Sequence, residues 1–117
     1  MVESCIDRLL AESDVPPIII LQSDEGPYPD FNNTFNWTEG QGSDLDLRVK
    51  SGILNAYYFP GVDQSVFYPS ITPVNSFRLV FNLYFGTELE LLPDRYYASY
   101  PGEPYRFVDI TDRLKPG

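Results

Sequence analysis

The sequence predicts an α/β fold, and three observations predict it. Residues 17–21 form a continuous apolar run, which is typical of a strand that is buried on both faces. Two polar residues after this run, the chain continues with Asp24, Glu25 and Gly26. An amphipathic helix is predicted before that run, and another helix is predicted to begin near residue 72. A helix, a short loop and a buried strand together form half of an α/β unit.

The first helix is predicted over residues 2–13, because apolar residues recur there at helical spacing. Cys5 lies on the apolar stripe, so we expect it to be a small buried hydrophobe and not a reactive thiol. The helix begins directly after Met1 without a capping residue, and we therefore expect further sequence upstream. The stripe consists of Val2, Cys5, Ile6, Leu9 and Leu10.

A central strand is predicted over residues 18–21, with Asp24 and Glu25 at its carboxyl-terminal edge. Residues 26–50 follow as a long loop, because they are polar and show no sustained period of 2 or 3.6. Loops of this length in compact domains are usually functional or disordered.

A second strand is predicted over residues 53–59, which are apolar and aromatic and end at a Pro-Gly pair. Thr72 and Pro73 predict the start of a helix that ends at Gly86. Apolar residues surround most of that helix, so we expect it to be buried. The remainder predicts a turn at 91–94, a short strand at 106–110 and a tail at 112–117.

Composition excludes several functional classes. The 117 residues are 43% hydrophobic and carry a formal net charge of -9, which predicts one globular domain that repels nucleic acid. The chain has no histidine and one cysteine, so it cannot build a Ser-His-Asp triad, a cysteine-histidine zinc site or an internal disulfide. No apolar run approaches the length of a membrane span, and the sequence as written predicts a soluble chain.

Asp24 and Glu25 are the candidate metal ligands. Two neighbouring carboxylates repel each other, and a fold that directs both into one cleft usually supplies a cation. Oxygen ligands favour Mg²⁺, Mn²⁺ or Ca²⁺. The alternative is a polar loop in which both acids face water.

The order of these elements resembles the carboxyl-terminal part of sulfatase-like enzymes of the alkaline phosphatase superfamily. The similarity is strongest to membrane-anchored members, the group that includes lipoteichoic acid synthases and phosphoethanolamine transferases. It covers most of residues 1–95 and implies a partial sulfatase-like sheet with packed helices, all within one carboxyl-terminal lobe, residues 1–117. The matching stretches are residues 17–27, 52–61 and 68–78.

The resemblance implies roles for individual residues. Asp24 matches the metal-binding aspartate of the family's Asp-His-Gly turn, whereas Glu25 stands where the family usually has a metal-binding histidine. The family's nucleophile lies upstream and has no counterpart here, so we expect the isolated chain to hydrolyse no ester. The resemblance also implies an extracytoplasmic location and, as partner, the missing amino-terminal part of the same enzyme.

Three functions stay open at this point. The chain is a lobe of a hydrolase or transferase of phosphate or sulfate esters, a non-enzymatic acidic module that binds divalent cations or a partner, or a gene fragment without activity. The second would use Asp24, Glu25, Asp44 and Asp46, although the last two also suit a solvated loop. Three arginines are candidates for contacting an ester oxygen: Arg48, Arg78 and Arg95.

Overall fold

The computed structural model describes residues 1–27 and 43–115. Helices mix with short antiparallel strands, which confirms the general α/β class. Part of the predicted long loop, residues 28–42, and the last two residues of the predicted tail lie outside the described residues. The elements are α1 (Val2–Glu12), β1 (Ile19–Gln22), α2 (Asp44–Ser51), β2 (Asn55–Tyr58), α3 (Pro73–Tyr84), β3 (Tyr97–Tyr100) and β4 (Glu103–Asp109), with 3-10 turns at Gln64–Val66 and Thr111–Leu114.

Strands β1 and β2 form a two-stranded antiparallel sheet, in which Ile19 lies opposite Tyr58 and Gln22 lies opposite Asn55. The prediction of a central strand buried on both faces is wrong. Within the described residues β1 has a single neighbouring strand, and its side chains are half-buried. An apolar run of this length specifies that a strand packs on something, but not how many strands flank it.

The core lies between this sheet and α3. Phe59, Leu79 and Val80 are buried, and Phe59 is 3% exposed. The ring of Phe59 meets Tyr84 edge-on at a centroid distance of 5.9 Å. Half-buried residues surround this cluster: Ile20, Tyr57, Val62, Phe67, Ile71 and Tyr84.

Helix α3 begins where Thr72 and Pro73 predict, and it ends just before Gly86, whose φ of +67° favours glycine. Its predicted burial on most faces is wrong, because Phe77 and Phe81 are exposed. A single face packs on the core, and no other described element covers the opposite face. The buried face consists of Asn75, Ser76, Leu79 and Val80.

The predictions for α1 and for residues 26–50 are corrected in part. Helix α1 forms as predicted, but none of its residues is buried and Cys5 is exposed, because no described element packs on its apolar stripe. The loop prediction is wrong for residues 44–50, which belong to α2. The missed signal is a capping box, in which the Ser43 N–H donates to Asp46 Oδ2 at 2.8 Å and the Asp46 N–H donates to Ser43 Oγ at 3.2 Å.

Strands β3 and β4 form a second antiparallel pair. The strand predicted at 106–110 is confirmed for residues 106–109, which belong to β4, whereas β3 was not predicted. The predicted tail is wrong for residues 112–114, which form a 3-10 turn against α2, because Arg113 Nε pairs with Asp44 Oδ1 at 2.7 Å. In the described parts of the chain, no helix combines the length and apolar character needed to cross a membrane.

Candidate functional site

The turn after β1 is held against the ends of two other elements. The Ser23 N–H donates to Leu54 O at 2.9 Å, and the Leu54 N–H donates to Ser23 Oγ at 2.9 Å. The Gly26 N–H donates to Lys50 O at 2.8 Å. These bonds place Asp24 and Glu25 between β2 and the carboxyl end of α2.

Gly26 makes this close approach feasible. It is buried, and a Cβ at this position would collide with Val49 O and lie 2.6 Å from Lys50 O. Both obstructing atoms belong to the backbone and cannot rotate away. Glycine is therefore required for the turn to reach α2.

The two acids have different electrostatic environments. Both are exposed. Glu25 Oε2 pairs with Lys50 Nζ at 2.6 Å, whereas Asp24 Oδ1 accepts the Glu25 N–H at 3.0 Å and forms no ion pair with another described residue. The fold therefore balances Glu25 with its own lysine. Among residues 1–27 and 43–115, no group of three or more acidic, histidine or cysteine side chains is arranged to hold a metal.

Both acids line one groove of about 470 Å³, a volume typical of small-molecule sites. Lys50 lies at the same end, and the β3–β4 hairpin forms the facing wall. This wall is largely aromatic and apolar. Its residues are Tyr96, Tyr97, Ala98, Ser99, Tyr100, Pro101 and Ile110.

Asp94 anchors the segment that leads into this wall. Its Oδ1 accepts hydrogen bonds from the Thr72 N–H at 2.8 Å and from Thr72 Oγ1 at 2.6 Å, and its Oδ2 accepts one from Tyr68 Oη at 2.6 Å. Asn75, which is fully buried, donates to Asp94 Oδ1 at 3.0 Å and exchanges two hydrogen bonds with the Leu92 backbone. The sequence predicted a turn at 91–94 but gave no signal for this network.

The network keeps Asp94 ionised. Burial raises the pKa of Asp94, but the hydrogen bonds from Thr72, Tyr68 and Asn75 together outweigh burial and bring the pKa below its ordinary value. Burial and the bond to Asp94 raise the pKa of Tyr68. Asp94 is therefore a satisfied structural carboxylate.

Two of the acids proposed for a cation-binding module, Asp44 and Asp46, already have partners within the fold. Asp44 pairs with Arg113, and the backbone and hydroxyl of Ser43 lower the pKa of Asp46 by hydrogen bonding to its carboxylate. Neither Asp44 nor Asp46 lines the groove beside Asp24. The four carboxylates do not converge.

Two of the three candidate arginines share a second groove. Arg48 and Arg95 line a depression of about 700 Å³, while Arg78 lies on α3 and lines neither groove. Ser51 and Tyr96 line both grooves. The groove that Asp24 and Glu25 line, the acidic groove, and the groove that Arg48 and Arg95 line, the arginine groove, are therefore neighbours.

Comparisons of the chain with protein-family models, with curated proteins and with solved structures find no match.

Proposed function

We propose that this chain is a lobe of a sulfatase-like hydrolase or transferase that acts on phosphate or sulfate esters. The main supporting observation is that the three stretches resembling that family meet around one core. Ile20 comes from the first stretch, Phe59 from the second and Ile71 from the third, and all three belong to the same packed cluster. Segments that are distant in sequence thus form one unit, as a shared fold would require.

In this proposal Asp24 is the metal ligand that the lobe contributes. Its carboxylate is exposed at the end of the groove and suits a hard cation such as Mg²⁺, Mn²⁺ or Ca²⁺. Glu25 fits less well, because Lys50 already balances its charge. Such ions take about six oxygen ligands, so the other ligands would come from the rest of the enzyme. A bound ion would polarise an ester oxygen.

The partner we propose is the amino-terminal part of the same enzyme, on the extracytoplasmic face of the membrane. Leu9 and Leu10 of α1 and Phe77 and Phe81 of α3 are exposed. Apolar surfaces of this kind are typical of contacts with another protein segment. The nucleophile would lie on that partner, so the isolated chain would not turn over ester.

A non-enzymatic interaction module is the second candidate. The same outward apolar side chains favour it, because they suit any protein partner. The two proposals differ in whether an ester-cleaving activity resides on the polypeptide that contains this chain.

Antibodies raised against the chain test the difference. We expect them to recognise a polypeptide larger than 13.4 kDa in the cells that produce it, and to deplete a metal-dependent activity on aryl phosphate or aryl sulfate. A control antibody against an unrelated protein should leave that activity in solution. The antibodies could instead remove a larger polypeptide without lowering the activity on aryl phosphate or on aryl sulfate. That result would contradict the enzymatic proposal and favour the interaction module.

Metal titration tests the role of Asp24. Because one or two carboxylates supply few of the ligands, we expect the chain to bind Mg²⁺, Mn²⁺ or Ca²⁺ only weakly, with a dissociation constant of roughly 1 mM or above. Calorimetry should show this binding to be lost in Asp24→Asn and kept in Asp14→Asn, whose carboxylate is also exposed. Equal binding by both variants would remove Asp24 from the proposed site.

A further inference from the structure

The arginine groove adjoins the groove of Asp24, and Ser51 and Tyr96 line both. It is formed by the carboxyl end of α2, the turn before α3, residues 93–96 and the 3-10 turn that follows β4. Its volume of about 700 Å³ is enough for a small ligand. The charged residues that line it are Arg48, Asp94, Arg95, Asp112 and Lys115.

Arg48 lines this groove and has one hydrogen-bond donor without a partner in the described part of the chain. Its Nη2 donates to Lys115 O at 2.5 Å, which fixes the position of the guanidinium. Its Nε is buried and has no hydrogen-bond partner in the described part of the chain, and no described carboxylate forms an ion pair with it. A buried charged donor without an acceptor is unfavourable, and native folds rarely keep one.

The other charges in the groove are already compensated. Asp94 accepts its hydrogen bonds from Thr72, Tyr68 and Asn75. Lys115 Nζ pairs with Asp112 Oδ1 at 2.7 Å. Arg95 pairs with a carboxylate that does not line the groove, Asp109, at 2.7 Å. Among the described residues, Arg48 is therefore the cation lining this groove that lacks a carboxylate partner.

We propose that this groove is an oxyanion site, in which the Arg48 guanidinium binds sulfate, phosphate or a monoester of either. A guanidinium presents its donors in a planar fork that matches two oxygens of such an anion. The Ser70 hydroxyl, which is exposed at the groove, is a further donor. The site does not depend on the proposed function, because it shares no charged residue with the groove of Asp24.

The overall charge limits the affinity. A formal net charge of -9 repels anions at long range. We therefore expect modest binding that depends on local contacts, and any titration needs constant ionic strength.

NMR on the wild-type chain tests the proposal without a mutation in the site. Sodium sulfate should shift the Arg48 Nε–H resonance in a saturable way and leave the Arg78 Nε–H resonance in place. Inorganic phosphate should act in the same way. An Arg48 resonance that does not move, or equal shifts at both arginines, would overturn the proposal.

Calorimetric titration with inorganic sulfate compares the affinity of the wild-type chain with that of matched variants. We expect Arg48→Gln to weaken binding by ten-fold or more and Arg78→Gln to change it by less than two-fold. Asp24→Asn should also change it by less than two-fold, which separates this site from the proposed metal ligand. Wild-type affinity in Arg48→Gln, or an equal loss in Arg78→Gln, would overturn the assignment.

Discussion

At the scale of single residues, Asp94 joins parts of the chain that are distant in sequence. One carboxylate joins the residue before α3, a side chain of α3 itself and Tyr68 in the preceding loop. Because Asp94 and Thr72 are 22 residues apart, this contact fixes the start of the β3–β4 hairpin relative to α3. The aromatic wall of the acidic groove therefore depends on a polar network.

Asp94→Asn should lower the free energy of unfolding by about 2–3 kcal/mol, because it replaces an ionised acceptor of several hydrogen bonds with an amide. Urea denaturation followed by circular dichroism measures the change. Asp14→Asn, at an exposed position, should cost less than about 0.5 kcal/mol. Equal costs for the two variants would show that the network contributes nothing to stability.

Acid should remove the contribution of Asp94. Since its pKa is lower in the folded chain than its ordinary value, the carboxylate stabilises the fold above the unfolded pKa of about 4, and this stabilisation is lost as pH falls through the folded pKa. Asp109 contributes to the pH dependence of stability in the same direction, because hydrogen bonds from Thr111 and then Arg95 lower its pKa to about 2. The difference in unfolding free energy between wild type and Asp94→Asn should therefore shrink between pH 5 and 2. A constant difference would contradict this account.

At the scale of elements, the decisive contact joins the turn after β1 to the end of α2. The Gly26 N–H reaches the carbonyl of Lys50, and the same approach brings Lys50 Nζ to Glu25. The position of Asp24 at the groove thus follows from a backbone contact between two elements that are distant in sequence.

Gly26→Ala should destabilise the chain by about 2–3 kcal/mol, because its Cβ would collide with backbone atoms of Val49 and Lys50. Gly102→Ala is the matched control, since nothing lies within 4 Å of a Cβ there, and it should change stability by less than about 0.5 kcal/mol. Chemical denaturation of both variants provides the comparison. A Gly26→Ala variant as stable as the control would show that the turn can move away from α2.

At the scale of the whole molecule, the core is small and many apolar side chains face outward. Among the described residues six apolar side chains are buried, of which Phe59, Leu79 and Val80 form one cluster, whereas Phe77 on the opposite face of α3 is 58% exposed. The other three are Leu47, Tyr100 and Ile110. Two-stranded sheets are marginal by themselves, so each pair depends on what packs against it. Stability should therefore be concentrated around Phe59.

The two phenylalanines offer a direct test of this distribution. Phe59→Ala should cost about 3–5 kcal/mol, because it removes a buried ring and leaves a cavity. Phe77→Ala should cost less than about 1 kcal/mol, since its ring is already in contact with solvent. Thermal unfolding of both variants at one protein concentration checks the prediction. Similar losses would mean that the outer face of α3 is packed in solution.

The sequence by itself determined the features that depend on neighbouring residues. The 3.6-residue period specified α1, and Thr72 and Pro73 specified the start of α3. The capping box of α2 was equally local and could have been found from Ser43 and Asp46. Such signals are readable because each arises within one or two turns of backbone.

Only the tertiary structure decided which residues meet across the chain. It paired β1 with β2 alone among the described strands, gave Glu25 a lysine partner and brought Arg113 to Asp44 across 69 residues. A hydrophobic period shows which face of an element is apolar, but it contains no information about what covers that face. For the same reason the sequence predicted burial for Cys5 and for most of α3, whereas the fold exposes Cys5 and leaves the face of α3 that contains Phe77 and Phe81 in contact with solvent.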